Sequence, residues 1–338
     1  MFNKNSGYGL LEAIRANLAL PVLGKVFICA NSTDPVYDKL AQIFDTDPSG
    51  DVRLFSSLSG AEGACVSDRN DVVVIDAKTS LKVTAMLTLS KNRVHYVGFD
   101  GGGRLADQRT LISNTGAGAA TDVAMVRVTG TGRSFRNIKF ANNWTVAQNL
   151  YCLDDQSSQT YFENCTIQNL GSAHLTNASA ASLRLSGDTC LYKHCTIGQD
   201  TLKITSTAGQ QMLILAGADG GATAAHRVVF ENCQFESYTS DTTHAFIRVT
   251  ANGAIDRYVR LENPRFMNFN FDASNGGAQL AVAIASTNSL ISGGIIVVNP
   301  TLLFATKLAT NAVGNGGVYV HNNTAATAAS ADAVKATA

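Results

Sequence analysis

Short runs of alternating apolar and polar residues return along this chain at a nearly regular interval. The clearest return is a phrase: an apolar or aromatic residue, any residue, Asn, Cys or Pro, any residue, an apolar residue. It reads Phe162-Glu163-Asn164-Cys165-Thr166-Ile167, Phe230-Glu231-Asn232-Cys233-Gln234-Phe235 and Leu261-Glu262-Asn263-Pro264-Arg265-Phe266. Looser copies are Phe135-Arg136-Asn137-Ile138-Lys139-Phe140, Tyr192-Lys193-His194-Cys195-Thr196-Ile197 and Val297-Val298-Asn299-Pro300-Thr301-Leu302. The central residues (137, 164, 194, 232, 263, 299) are 27, 30, 38, 31 and 36 positions apart. A repeat of that length predicts a solenoid, in which each coil buries its apolar face only against its neighbours.

Each repeat also carries an apolar strand ahead of the phrase. These are Met125–Val128, Leu150–Leu153, Leu183–Leu185, Met212–Leu215, Phe246–Val249 and Val282–Ile284. The phrase opens 9 to 18 residues after the strand begins, and a loop of variable length leads on to the next strand. Asn suits the bend because it tolerates left-handed backbone. Stacked copies at Asn137, Asn164, Asn232, Asn263 and Asn299 could join their amides into a ladder, with His194 standing in for one rung. After the bend, residues two apart point the same way. Cys165 with Ile167, Cys195 with Ile197 and Cys233 with Phe235 should therefore face inward, the cysteines forming a column of small hydrophobes.

From about residue 66 strand follows strand, beginning with Asp71–Asp76, Ala85–Leu89 and Val94–Phe99. No helical pattern interrupts residues 120–305, which argues against alternating βαβ units. Residues 1–65 are mixed: Leu10, Leu11, Ile14 and Leu18 recur at helical spacing, Lys25–Cys29 and Val52–Phe55 read as strands, and Asp34-Pro35 opens a helix with Leu40, Ile43 and Phe44 on its apolar face. The division expected is an α+β cap over 1–65, a parallel β-helix over 66–321 and an extended C-terminal arm over 322–338. The arm is small and polar and would need a neighbouring subunit to hold it.

The Asn phrases, the short strands and the opening Asp71-Val72-Val73-Val74-Ile75, Leu87-Thr88-Leu89-Ser90-Lys91-Asn92 and Val97-Gly98-Phe99 resemble right-handed parallel β-helix proteins of the pectate-lyase-like superfamily over residues 66–305. The resemblance implies a mainly β, single-stranded right-handed solenoid. The superfamily includes lyases, hydrolases, phage tailspikes and non-enzymatic virion proteins. A compact α+β cap on such a helix also resembles a phage virion component.

Composition narrows the partners. Only 15% of residues are charged, with Lys+Arg and Asp+Glu both at 26, so no basic excess points to nucleic acid. A near-neutral surface tends to associate, and copies of this chain, as a trimer for instance, and other virion proteins such as capsid subunits are the expected partners. No apolar run approaches membrane-spanning length, and Met1–Gly9 shows no secretory pattern. Seven cysteines without a CxxC do not suggest a disulfide framework, which fits assembly in a reducing host cytoplasm.

Candidate chemistry is sparse. Enzymes of the resembled fold use acidic residues on the exposed face of the coils. Here the acids to consider are Asp154 and Asp155, directly after a strand, and Asp188 one coil on. Asp after a strand also serves simply to start a turn. Asp45, Asp47 and Ser49 match the start of a Ca²⁺ loop, but Ser56 stands where its closing Glu belongs and a strand follows, so a capped turn is the better reading. Asp100-Gly101-Gly102-Gly103 reads as a turn, the six histidines are scattered singly, and no cofactor is expected. The sequence points to a non-enzymatic phage virion protein that decorates or stabilises the capsid. A tailspike-like glycan-binding or glycan-cleaving protein is the alternative.

Overall fold

A computed structural model describes residues 24–47, 49–76, 81–99, 110–114, 116, 118–204, 210–215, 224–241, 244–249, 254–270, 282–285, 294–303 and 318–321. The apolar strand and the two halves of each Asn phrase occupy three different parallel sheets. Sheet A has 11 strands among the described residues. It runs from Leu54–Phe55 and Val26–Cys29 through Asp71–Ile75, Val94–Gly98, Ser134–Arg136, Tyr161–Glu163, Leu191–Lys193, Val228–Glu231, Tyr258–Glu262 and Gly294–Val298 to Val318–His321. Among the described residues sheet B has 8 strands, from Leu81–Val83 and Thr110–Asn114 through Ile138–Asn142, Thr166–Asn169, Thr196–Gly198, Gln234–Ser237 and Arg265–Asn268 to Thr301–Leu303. Sheet C has 7 among them: Leu87–Leu89, Ala124–Val128, Tyr151–Asp155, Ala181–Leu185, Gln211–Leu215, Ala245–Val249 and Val282–Ala285. One coil is therefore C, then A, then B, and each strand pairs with its counterpart one coil away.

The register is held by like residues stacking on like. Tyr96, Phe135, Phe162, Tyr192 and Phe230 form a continuous inward column on sheet A, with ring centroids 4.6–5.2 Å apart and interplanar angles of 2–17°. Centroid spacing near the strand separation of about 4.8 Å follows from in-register pairing. Sheet B contributes Phe140, Ile167, Ile197, Phe235 and Phe266 in register. Sheet C contributes Val126, Leu153, Leu183, Leu213, Ile247 and Ile284. All of these are buried in one continuous core.

The N-terminal end is closed by two helices placed differently. The helix α1, Tyr37–Phe44, lies against the outer face of sheet A, where Phe44 joins Val26, Ile28, Val72, Val74 and Val97. The helix α2, Leu58–Ala64, places Leu58 and Ala61 on the main core beside Phe27, Cys29, Val73 and Ile75. Ser57 caps it, accepting from the Gly60 N–H at 3.1 Å. The sequence pattern did not reveal α2, a short helix with two glycines. Among the described residues before 66 the strands form no separate sheet, because Val26–Cys29 pairs in parallel register with Asp71–Ile75 and extends sheet A. The helical pattern around Leu10–Leu18, the Asp100–Gly103 turn and the arm over 322–338 lie outside the described residues.

A buried polar lock ties α2 to the coils. The Glu62 carboxylate accepts from the N–H groups of Ser90 and Lys91, each at 2.9 Å, from Arg133 Nη2 at 2.6 Å and from the Tyr96 hydroxyl. The Arg133 side chain is fully buried. A charge pair taken this far out of water is tolerable only when its remaining hydrogen-bonding capacity is largely filled, as the carboxylate's is here.

Candidate functional site

The corner between sheets A and B is built by the recurring Asn. Asn137, Asn164, His194, Asn232, Asn263 and Asn299 all have left-handed backbone, with φ between 49° and 57°. Each donates its backbone N–H to the carbonyl just before the next corner: Asn137 to Glu163, Asn164 to Lys193, His194 to Glu231, Asn232 to Glu262, Asn263 to Val298 and Asn299 to His321. The side chains add Nδ2-to-Oδ1 bonds from Asn164 to Asn137 (2.9 Å), Asn263 to Asn232 (2.9 Å) and Asn299 to Asn263 (3.0 Å). His194 keeps the backbone bend but interrupts the amide chain. Beside it, Asn232 Nδ2 reaches only Glu231 Oε1, at 3.5 Å, too long for a strong bond. The next inward position down the corner holds Ile138, Cys165, Cys195, Cys233, Pro264 and Pro300, all buried. Burial pushes the Cys195 thiol well above its ordinary value, which suits packing rather than nucleophilic chemistry.

The three acids considered as a catalytic cluster do not converge. Asp154 and Asp155 are neighbours on one strand and point to opposite faces of sheet C. Asp155 is inside, accepting from the hydroxyls of Ser157, Thr160 (2.9 Å) and Tyr192 (2.6 Å). Burial raises its pKa, and these donors offset part of that rise. Asp154 is outside but covered, in a register row with Arg127 and Arg184. It accepts from Arg127 Nε at 2.9 Å and Gln156 Nε2 at 2.8 Å, and Arg184 lies 3.8 Å away. Burial raises its pKa too, against the pull of the two arginines. Asp188 sits at the corner between sheets C and A. Arg227 contacts it at 3.3 Å and His226 at 3.8 Å, and His226 also contacts Asp256 at 2.9 Å. There the Thr189 hydroxyl and Arg227 outweigh partial burial and hold the Asp188 carboxyl below its usual range. The strand–Asp pattern thus reflects one core hydrogen-bond acceptor, one counter-ion and one corner residue.

The Ca²⁺-like segment is a turn closed by cations of the chain itself. Asp47 Oδ1 accepts from the N–H groups of Ser49 and Asp51, both at 2.9 Å, and Oδ2 accepts from Arg53 Nε at 2.9 Å. Asp45 ends α1 and accepts from the Arg53 backbone N–H through its carbonyl. The Arg53 guanidinium thus neutralises the Asp47 carboxylate. Among the described residues no group of three His, Cys, Asp or Glu side chains could hold a metal.

Two further columns were missed. The corner between sheets C and A is also left-handed, at Arg93, Gly132, Gln159, Thr189 and Arg227. Its residue types vary, so it left no motif. The corner after sheet B is lined with buried polar side chains five residues beyond the A–B corners from Asn137 to Asn263: Asn142, Asn169, Gln199, Ser237 and Asn268. Asn142 donates to Asn169 at 3.1 Å and accepts from the Trp144 N–H at 3.1 Å, Gln199 accepts from the Thr201 and Leu202 N–H groups, and Asn268 accepts from the Thr239 N–H at 3.0 Å. His174 and His244 bind into this column, at Asn169 (2.8 Å) and Ser237 (3.3 Å). The fixed offset from the Asn phrase was the sequence signal.

No protein-family model matches the chain, and a comparison with curated proteins finds no match. Solved structures do match. The pectate lyase Pel9A is 10% identical, with a TM-score of 0.53, over 91% of this chain and 76% of that one. A pectin methylesterase from Aspergillus niger is 14% identical, with a TM-score of 0.51, over 88% of this chain and 85% of that one. A pectin methylesterase in complex with a hexasaccharide gives 14% and 0.51, over 89% and 81%. Identities this low carry fold alone. Together with the three stacked parallel sheets, they make this chain a right-handed parallel β-helix in fold.

Proposed function

We propose that the protein is a non-catalytic structural component of a bacteriophage particle, a capsid-decorating or capsid-stabilising subunit. The observation that carries the non-catalytic part is the fate of Asp154, Asp155 and Asp188: each is tied to a separate structural partner set, on a different face of the coil. The usual glycoside hydrolase site places two carboxylates about one glycosidic bond. The particle assignment draws on the resemblance of a capped β-helix to virion components and on the near-neutral, low-charge composition. Three continuous ladders of backbone hydrogen bonds suit a rigid, protease-resistant element on a particle surface.

Quantitative mass spectrometry of purified particles tests the assignment. The expected result is a copy number in simple ratio to the shell protein. Absence of the chain from intact particles overturns it. A tailspike role is tested in parallel by incubating the protein with host surface polysaccharide. Release of new reducing or unsaturated ends, abolished by Asp188→Ala, would replace the structural reading with a catalytic one.

A further inference from the structure

Where His194 interrupts the amide ladder, a groove of about 270 Å³ lies on the A–B corner. Its walls are two parallel rows, two residues apart on each coil. The corner row is His194, Asn232 and Asn263, and the sheet B row is Thr196, Gln234 and Arg265, register partners on three successive coils. Neighbouring coils are about 4.8 Å apart, so these six side chains form a grid of roughly 10 Å along the axis.

Asn263 and Gln234 spend their amide donors within the structure, on Asn232 and Glu236, but three other donors of the grid do not. Arg265 is exposed and pairs with no carboxylate among the described residues, and the His194 ring has no hydrogen-bond partner among them. Asn232 Nδ2 has only its 3.5 Å contact. The nearby carboxylates have partners of their own: Glu262 has Arg260 at 2.7 Å, Glu231 has Lys193 at 3.4 Å besides its long contact to Asn232, and Glu236 accepts from Gln234 at the edge of the grid. A guanidinium, an imidazole N–H, an amide N–H and a hydroxyl thus line one concavity, and no carboxylate of the described residues pairs with the guanidinium.

We propose that this groove binds an oxyanion, the phosphate or carboxylate group of a polar ligand. Arg265 supplies the charge, and His194, Thr196 and Asn232 supply hydrogen bonds. Every other A–B corner from Asn137 to Asn299 has Asn where His194 stands, so the interrupted rung is what frees the Asn232 amide.

Isothermal titration calorimetry of the full chain tests the proposal with inorganic phosphate, glucuronate and, as the neutral control, glucose. We expect saturable binding of phosphate or glucuronate and none of glucose. Preference for phosphate identifies a phosphate-bearing ligand, and preference for glucuronate a carboxylated one. Arg265→Gln, at an exposed position, should weaken the preferred anion at least tenfold. His194→Asn should restore the rung, raise the melting temperature and also weaken binding several-fold. No binding of either anion overturns the proposal. So does binding that both substitutions leave unchanged in protein that melts cooperatively.

Discussion

At the A–B corner, Asn164 has two tasks of unequal weight. Its backbone holds φ at 54°, and its amide donates to Asn137 at 2.9 Å. A left-handed residue other than Gly or Asn costs about 1–2 kcal/mol, and a lost amide bond about 1 kcal/mol. Asn164→Leu should therefore lower stability by about 2–3 kcal/mol in urea unfolding. Asn232 is exposed, so Asn232→Leu should cost about 1–2 kcal/mol, mostly through its backbone. Equal, negligible shifts for both would mean that the corner does not depend on its side chain. Gly98 shows a steric limit: a Cβ there would lie 2.1 Å from the Asn137 carbonyl oxygen, so neither Ala nor any larger residue fits without moving the corner. Asn and Gly were legible as bend residues in the sequence. Arg93, Gln159 and Thr189 were not, because a left-handed backbone imposed by stacking leaves no mark on residue type.

At the scale of elements, the aromatic column and the Glu62 lock do different work. Phe162 is stacked between Phe135 and Tyr192 at 4.6 and 4.8 Å. Its replacement by Ala removes both contacts in a core with no freedom to collapse along the axis. Phe162→Ala should cost about 3–5 kcal/mol and broaden the unfolding transition, since coils on either side lose contact with each other. The lock couples the cap to the coils. Glu62→Gln leaves Arg133 buried without a counter-charge, and a loss of about 3–5 kcal/mol is expected. Hydrogen exchange should localise the loosening to α2 and the strands at 87–89 and 94–98. Uniform loosening along the chain would show that the cap and the coils unfold as one unit. The strands themselves were readable from their alternation. The lock was not, because Glu62, Tyr96 and Arg133 lie 34 and 71 residues apart and have no shared pattern.

Across the whole molecule, stability should depend on acidity through buried histidines. Burial, with Arg248 adding to it and Asp241 opposing it, pulls His244 down to about 4; burial, with Arg136 and Arg133 adding to it, does the same to His95. In the unfolded chain both titrate near 6.5. As pH falls from about 6.5 to 4 the unfolded state takes up protons that the folded state refuses, so stability falls by up to about 1.4 kcal/mol per pH unit for each group. Above pH 6.5 this contribution is fully present. Asp154 and Asp155, whose carboxyls burial raises, act in the opposite sense. The decisive measurement is therefore the difference between the parent protein and His244→Gln: the variant should show a shallower loss between pH 6.5 and 4.5. The sequence by itself determined the repeat, the left-handed Asn corner, the inward Cys column and the parallel stacking. Those follow from local backbone preference and from the period at which apolar residues return. Only the tertiary structure decided that each coil has three sheets and that the first strands extend one of them. It also decided that Asp154, Asp155 and Asp188 face three different ways and that one missing rung leaves donors idle. Such facts depend on which side chains meet across coils, and loops of unequal length hide those distances from the linear order of residues.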